Sequence, residues 1–253
     1  MVGALGIEVA PAVKASGSKM VFDIIGTSEA EKMQPAFLSR VAIFAGLDDS
    51  VLQRIARQMV FREVKKHEII WLEQEPARII YFVSSGLVKL FKTSDGGKEQ
   101  ILRLARSGDC FGHAGALNGG SNPESVQAVQ SSRLYGLGKE ELESLLAEYP
   151  QVARNVIKLL ATEMHHYMSL VEDLSLRCVS GRLAKMILTD SPRGACDNSL
   201  VLTRSDMAAM TGTVREVIGK SLKTLEDKGV IRYDRHRIVI RDREALKSLT
   251  RSE

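Results

Sequence analysis

The sequence holds no apolar run near the ~18 residues of a membrane span, and no membrane partner is expected. Cysteine is scarce: Cys110, Cys178 and Cys196 are three in 253 residues, scattered and without a CxxC. Such a set excludes a disulfide scaffold and fits reduced thiols. No Lys or Arg precedes Lys14, so the start lacks the basic region of a secretory leader and a cytoplasmic location is expected. Glycine (20) and proline (6) are far too few for a collagen-like chain. What remains is ordinary globular composition, 44% apolar and 26% charged, enough for one or two domains with a real core.

Positive charge is unevenly placed. Residues 181–253 hold 15 Lys and Arg against 10 Asp and Glu, whereas residues 1–180 hold 20 against 21. A compact basic module beside a near-neutral one points to a polyanion partner, although a solubilising surface gives the same balance.

Residues 1–33 lack clear periodicity and read as an extension. Phe37, Leu38, Val41 and Phe44 have helical spacing, and Val51, Leu52, Ile55, Ala56 and Met59 give a second amphipathic helix. Short β-branched or aromatic runs follow: Phe61–Val64, Glu68–Leu72, Ile79–Val83, Leu87–Phe91, Gln100–Leu104, Ser125–Gln130 and Leu134–Leu137. Their spacing and Gly-, Ser- and Asn-rich turns predict a β-roll of the jelly-roll kind over 34–149. Helices return at Lys139–Glu148 and, after Pro150, in an unbroken stretch to about Leu176. There Ile157, Leu160, Met164, Tyr167, Val171 and Leu174 lie three and four apart, a heptad seam. So narrow a stripe over 150–178 predicts a helix–helix interface, most simply a symmetric homodimer; the alternative is one helix lying on the roll.

The last part, 179–253, opens with a helix at Gly181–Leu188 and a loop at Asp190–Ser199. Thr203-Arg204-Ser205-Asp206 reads as an N-cap with an acid at N3. Met207 and Met210 give that helix an apolar face, and Thr211-Gly212-Thr213 makes a turn. Thr213-Val214-Arg215-Glu216 opens a second helix burying Val217, Ile218, Leu222 and Leu225. Helix, Gly-containing turn, helix is the helix-turn-helix pattern. Val230–Tyr233 and Ile238–Ile240, joined through Asp234-Arg235-His236-Arg237, form a hairpin wing. The fold class is α+β: an N-terminal β-roll sensor, a long dimerisation helix and a C-terminal winged helix-turn-helix.

In such a motif the second helix enters the major groove of double-stranded DNA by its first turn. Thr213, Arg215, Glu216 and Lys220 lie there, with Thr203 and Ser205 at the start of the preceding helix. Arg donates two bonds to guanine O6 and N7, and Glu accepts from cytosine N4. Glu216 can equally serve as the N3 acid of Thr213. Arg235, His236 and Arg237 at the wing tip are placed for phosphates, or form a solvated turn.

Three stretches flank the long helix in order: Ser85-Gly86-Leu87-Val88-Lys89-Leu90, then Ser107-Gly108-Asp109-Cys110-Phe111-Gly112, then Gly212-Thr213-Val214-Arg215-Glu216-Val217-Ile218-Gly219-Lys220. Together they resemble the CRP/FNR superfamily of bacterial transcription regulators over about residues 35–245. The resemblance implies a homodimer on an inverted repeat with TGTGA-like half-sites, RNA polymerase as a further partner, and no enzymatic activity. A signal in the roll would shift the population of the DNA-competent state, with Cys178-Val179-Ser180-Gly181 as hinge. Lys220 stands where Arg is usual, a point charge in place of a fork.

Departures from the family bear on the effector. Members that bind cyclic nucleotides carry Gly-Glu where this chain has Gly112-His113. They carry Arg-Ser where it reads Ser121-Asn122-Pro123-Glu124-Ser125. Ser107 to Ser132 contains no Lys or Arg; a buried phosphodiester without a cation is costly, and Glu124 repels it. The family's adenine-contacting pair falls on Tyr167-Met168. The pocket of Gly112, His113, Glu124, Ser125, Tyr167 and Met168 is therefore not expected to hold cyclic AMP. No cysteine precedes Cys110, so an iron–sulfur cluster is not expected. Haem stays open, with Cys110 and His113 as candidate ligands and His165 and His166 as further ones. The alternative is a lone His in a turn and a small buried Cys. A third option is an apolar or aromatic small molecule beside Tyr167 and Met168.

Rival readings are a cyclic-nucleotide-responsive regulator of the same type, a sensing subunit that never touches DNA, and a cupin-type metalloenzyme. The last shares the β-roll but needs clustered ligands such as His-x-His with a Glu, and His67 and His113 are isolated.

Overall fold

A computed structural model describes residues 33–190, 202–234 and 237–250. Most of the 1–33 extension, most of the loop after Asp190 and the wing-tip residues Arg235 and His236 lie outside the described residues.

Helices α1 (Pro35–Leu38) and α2 (Asp49–Gln58) precede the strands. The spacing from Phe37 to Phe44 does not become one helix. Val41 is extended, and Ala42–Phe44 form a separate 3-10 turn. Leu38, Ile43 and Phe44 are all buried, whereas one continuous helix would turn Ile43 about 140° away from Leu38. The turn is held from outside: buried Asn155 donates to the carbonyls of Ile43 (3.0 Å) and Ala45 (2.8 Å).

Eight strands form the roll as two four-stranded antiparallel sheets. One orders β1 (Val60–Val64), β8 (Ser132–Gly138), β3 (Ile79–Ser85) and β6 (Cys110–Phe111). The other orders β2 (Ile69–Trp71), β7 (Ser125–Ala128), β4 (Leu87–Thr93) and β5 (Glu99–Arg106). Between them Trp71, Tyr81 and Phe111 pack with ring centroids 5.2 to 5.8 Å apart, beside Val64, Val83 and Leu134. Each such buried side chain contributes roughly 1.5–3 kcal/mol.

Two elements escape a reading by periodicity. They are β6, of two residues, and α3 (His113–Leu117), of five. Gly112 joins them with φ +85°, and a Cβ there would lie 2.8 Å from the Ile79 carbonyl and from the Trp71 ring. Only glycine satisfies both demands.

After the roll come α4 (Lys139–Glu148) and the 27-residue α5 (Pro150–Leu176). The winged module comprises α6 (Val179–Asp190), α7 (Arg204–Thr211), α8 (Arg215–Asp227), β9 (Ile231–Asp234), β10 (Arg237–Ile240) and α9 (Arg243–Leu249). In α8 Ile218, Leu222 and Leu225 are buried, but Val217 is only half-buried. The outer side of the second sheet shares a core with this module: Phe91, Ile101 and Leu104 pack with Leu183, Ile187 and Met207. Lys98 Nζ also donates to Gly212 O (3.3 Å), and Gln100 Nε2 to Met210 O (3.4 Å). Among the described residues no helix is long and apolar enough to cross a membrane.

Candidate nucleic-acid interface and sensor site

α7 begins with a capping box. Thr203 Oγ1 accepts from Asp206 N (3.1 Å), and Asp206 Oδ2 accepts from Thr203 N (3.0 Å); this bond pair satisfies donors a helix start leaves open. Ser205 is exposed in the same turn. Gly212 ends α7 with φ +68°, and a Cβ there would lie 2.6 Å from Leu174 Cδ2.

Thr213 is not the cap of the next helix. Its N–H donates to Ala208 O (3.0 Å), and the last extended residue is Val214, which caps α8 without a side-chain bond. Glu216 therefore sits at the second helical position rather than as an N3 acid, where it complements the helix dipole. Arg215, Glu216 and Lys220 are exposed, while Thr213 is half-buried. Arg204, not singled out by sequence reading, lies over the Tyr233 ring at 5.4 Å. Its Nη1 comes 3.7 Å from where a Cβ on Gly219 would be. It joins the start of α7 to the wing strand.

The sensor residues gather around a buried charge cluster. His113 is 2% exposed; its Nε2 donates to Glu163 Oε2 on α5 (2.8 Å), and its Nδ1 lies 3.8 Å from Cys110 Sγ. Burial alone would lower the imidazole pKa, but the bonds and charges of Cys110 and Glu163 outweigh it and hold the value at about 10. Burial would raise the Glu163 carboxyl; His113 and Arg103 pull it below the usual range. Arg103 on β5 approaches Glu163 Oε1 at 3.1 Å and donates to Cys110 O at 2.9 Å. Glu124 is buried and its carboxyl pushed up by that burial, against the charges of Arg103 and His113. Tyr167 is half-buried; burial raises its hydroxyl, which Arg103 opposes.

Three sequence expectations change here. The site does contain a cation, Arg103, supplied by a strand just upstream of the Lys- and Arg-free stretch. Ser125 is tied to the turn after β2, its Oγ accepting from Glu73 N (3.0 Å). Met168 belongs elsewhere, since it is exposed. The apolar stripe exposed on α5 is Ile157, Leu160, Met164, Met168 and Val171, 38 to 66% exposed. Tyr167 turns toward the roll, and Leu174 toward Gly212.

Cys110 and His113 do not fit haem. The sulfur packs in a core with Phe82 and Leu137, and both imidazole nitrogens already have neighbours. His165 and His166 are exposed, and His166 Nε2 meets Leu102 O at 2.9 Å. Among the described residues no group of three or more His, Cys, Asp or Glu could hold a metal ion.

Residues 61–149 match the cyclic nucleotide-binding domain and residues 181–249 the Crp-like helix-turn-helix domain. A CRP-like cAMP-activated global transcriptional regulator of Mycobacterium tuberculosis is 26% identical over 83% of this chain and 96% of its own length. A cyclic AMP receptor protein of Thermus thermophilus is 29% identical over 71% of this chain and 83% of its own. The solved structure of FixK2 from Bradyrhizobium japonicum superposes with a TM-score of 0.71 at 26% identity, covering 77% of this chain and 98% of that one.

Proposed function

The chain belongs to the CRP/FNR family of transcription regulators, and from that premise we propose how it reads DNA and what it senses. Two chains pair along the exposed stripe of α5 and present two α8 helices to an inverted repeat. Arg215 and Glu216 read base edges, and Lys220 contacts a base or phosphate one turn on. The observation that carries this is the exposed first turn of α8, held behind the Gly212 turn by a capped α7. RNA polymerase is the further partner.

The effector is a ligand other than cyclic AMP. Where a cyclic phosphate would need free donors, Arg103 and His113 are already tied to Glu163, and Glu124 adds a buried carboxyl. A second reading, response to a cyclic nucleotide, draws on the matched domain and on Arg103 as a cation in the site. Calorimetric titration with cyclic AMP separates the two: no heat supports the first, and micromolar affinity the second.

A mobility-shift assay tests the DNA reading. A duplex with inverted TGTGA half-sites is retarded by the parent chain, and Arg215→Ala weakens binding about 10- to 100-fold. Equal binding by variant and parent contradicts this placement of the reading helix.

A further inference from the structure

We infer, resting on the placement of α8 proposed above, that Val214 is a further specificity-determining residue. Its isopropyl group packs on the 5-methyl of a thymine beside the guanine that Arg215 reads. Val214, Arg215 and Glu216 are three consecutive exposed residues at the start of α8. Val214 itself is 52% exposed, and its side chain belongs to no hydrophobic cluster among the described residues. An apolar group left so far in water gains from a surface that covers it.

The second observation is the cap. A helix start is stabilised by Ser, Thr, Asp or Asn, whose side-chain oxygens accept from its first N–H groups, and valine is among the poorest choices. Val214 nevertheless holds that position, extended at φ −109° and ψ 156° and without a side-chain bond. Its carbonyl accepts from Val217 N (3.1 Å) and Ile218 N (3.2 Å), so the backbone there is fixed. The side chain thus neither fills a core nor caps its helix. Local departures from what stability favours mark functional positions.

The major groove supplies one match for this group. An isopropyl group neither donates nor accepts, so it forms no hydrogen bond with a phosphate. On the base edges of that groove the thymine methyl is the one apolar group, and the other three bases present polar atoms. Neighbouring Cα atoms are about 3.8 Å apart and successive bases about 3.4 Å, so Val214 and Arg215 are spaced for adjacent base pairs.

Selection from random duplexes by the full parent chain first defines the half-site it binds. Competition anisotropy then compares that duplex with copies in which each thymine in turn, in both half-sites, is replaced by deoxyuridine, which lacks only the methyl. At one thymine beside a guanine we expect the replacement to weaken the parent about tenfold, roughly one buried methyl per half-site. The same replacement weakens Val214→Ser no more than about twofold. Serine is a favoured cap, and circular dichroism confirms that the variant is folded. If selection returns no inverted repeat, the placement of α8 fails and the thymine contact with it. If the repeat is returned but no thymine beside a guanine responds, or the penalty is equal in Val214→Ser, α8 still reads the duplex and the thymine contact is overturned.

Discussion

His113 Nε2 lies 2.8 Å from Glu163 Oε2, joining the short helix at the rim of the roll to the middle of the long helix. Both side chains are largely buried, at 3 and 12% exposure. The contact links the element that surrounds the sensor site to the element that carries the exposed stripe.

The pair sets a pH dependence. The folded His113 pKa of about 10 lies above its ordinary 6.5. A basic group raised in this way contributes stability that is fully present below the unfolded value and lost as pH rises through the folded one. The parent chain thus loses stability between pH 6.5 and about 10 that His113→Gln does not lose. Urea midpoints of both proteins across this range check it; parallel profiles contradict it.

Glu163→Gln keeps the shape and removes the charge that both Arg103 and His113 face. Unpairing buried cations costs about 3 kcal/mol, and the His113 pKa falls as the carboxylate leaves. Chemical denaturation reads the first effect, and an NMR titration of the imidazole the second. An unchanged imidazole pKa contradicts the assignment of its cause.

Gly112→Ala costs more than Gly97→Ala. Both glycines have positive φ, +85° and +77°, but a Cβ meets backbone 2.8 Å away at Gly112 and nothing within 4 Å at Gly97. We expect about 1 kcal/mol for Gly97→Ala from the left-handed backbone alone and at least about 2 kcal/mol for Gly112→Ala. Thermal melts compare them.

Met164→Lys and Val171→Asp act on association and leave the chain folded. Both positions are exposed on α5, at 55 and 63%, so the monomer core does not need them, while a charge in a helix seam opposes pairing. Sedimentation equilibrium should show each variant as monomer with unaltered circular dichroism. A persistent dimer places the interface elsewhere.

Local signals made much of this architecture legible. Pro150 and uninterrupted helical spacing mark α5, and Thr203 with Asp206 three residues later marks the start of α7, because caps and periodicity are properties of neighbours. The charge cluster was hidden because Arg103, His113 and Glu163 come from a strand, a five-residue helix and the long helix. No spacing rule connects them. Tyr167 and Met168 show a subtler limit. An α-helix drifts ~20° per heptad from a 3.5-residue stripe, so the exposed face passes from 167 to 168, and Leu174 turns onto Gly212. Thr213 is not the cap because the turn runs one residue further, to the extended Val214.

The central claim is that two chains place matched α8 helices on one face of a duplex. Fluorescence anisotropy with duplexes of altered spacing tests it most directly. Inserting about 5 bp between half-sites turns them to opposite faces of the helix, whereas about 10 bp restores the face. The account predicts two chains per duplex on the parent repeat, with affinity falling to the non-specific level after the half-turn insertion. Equal affinity for both spacings, or one chain per duplex, would contradict it.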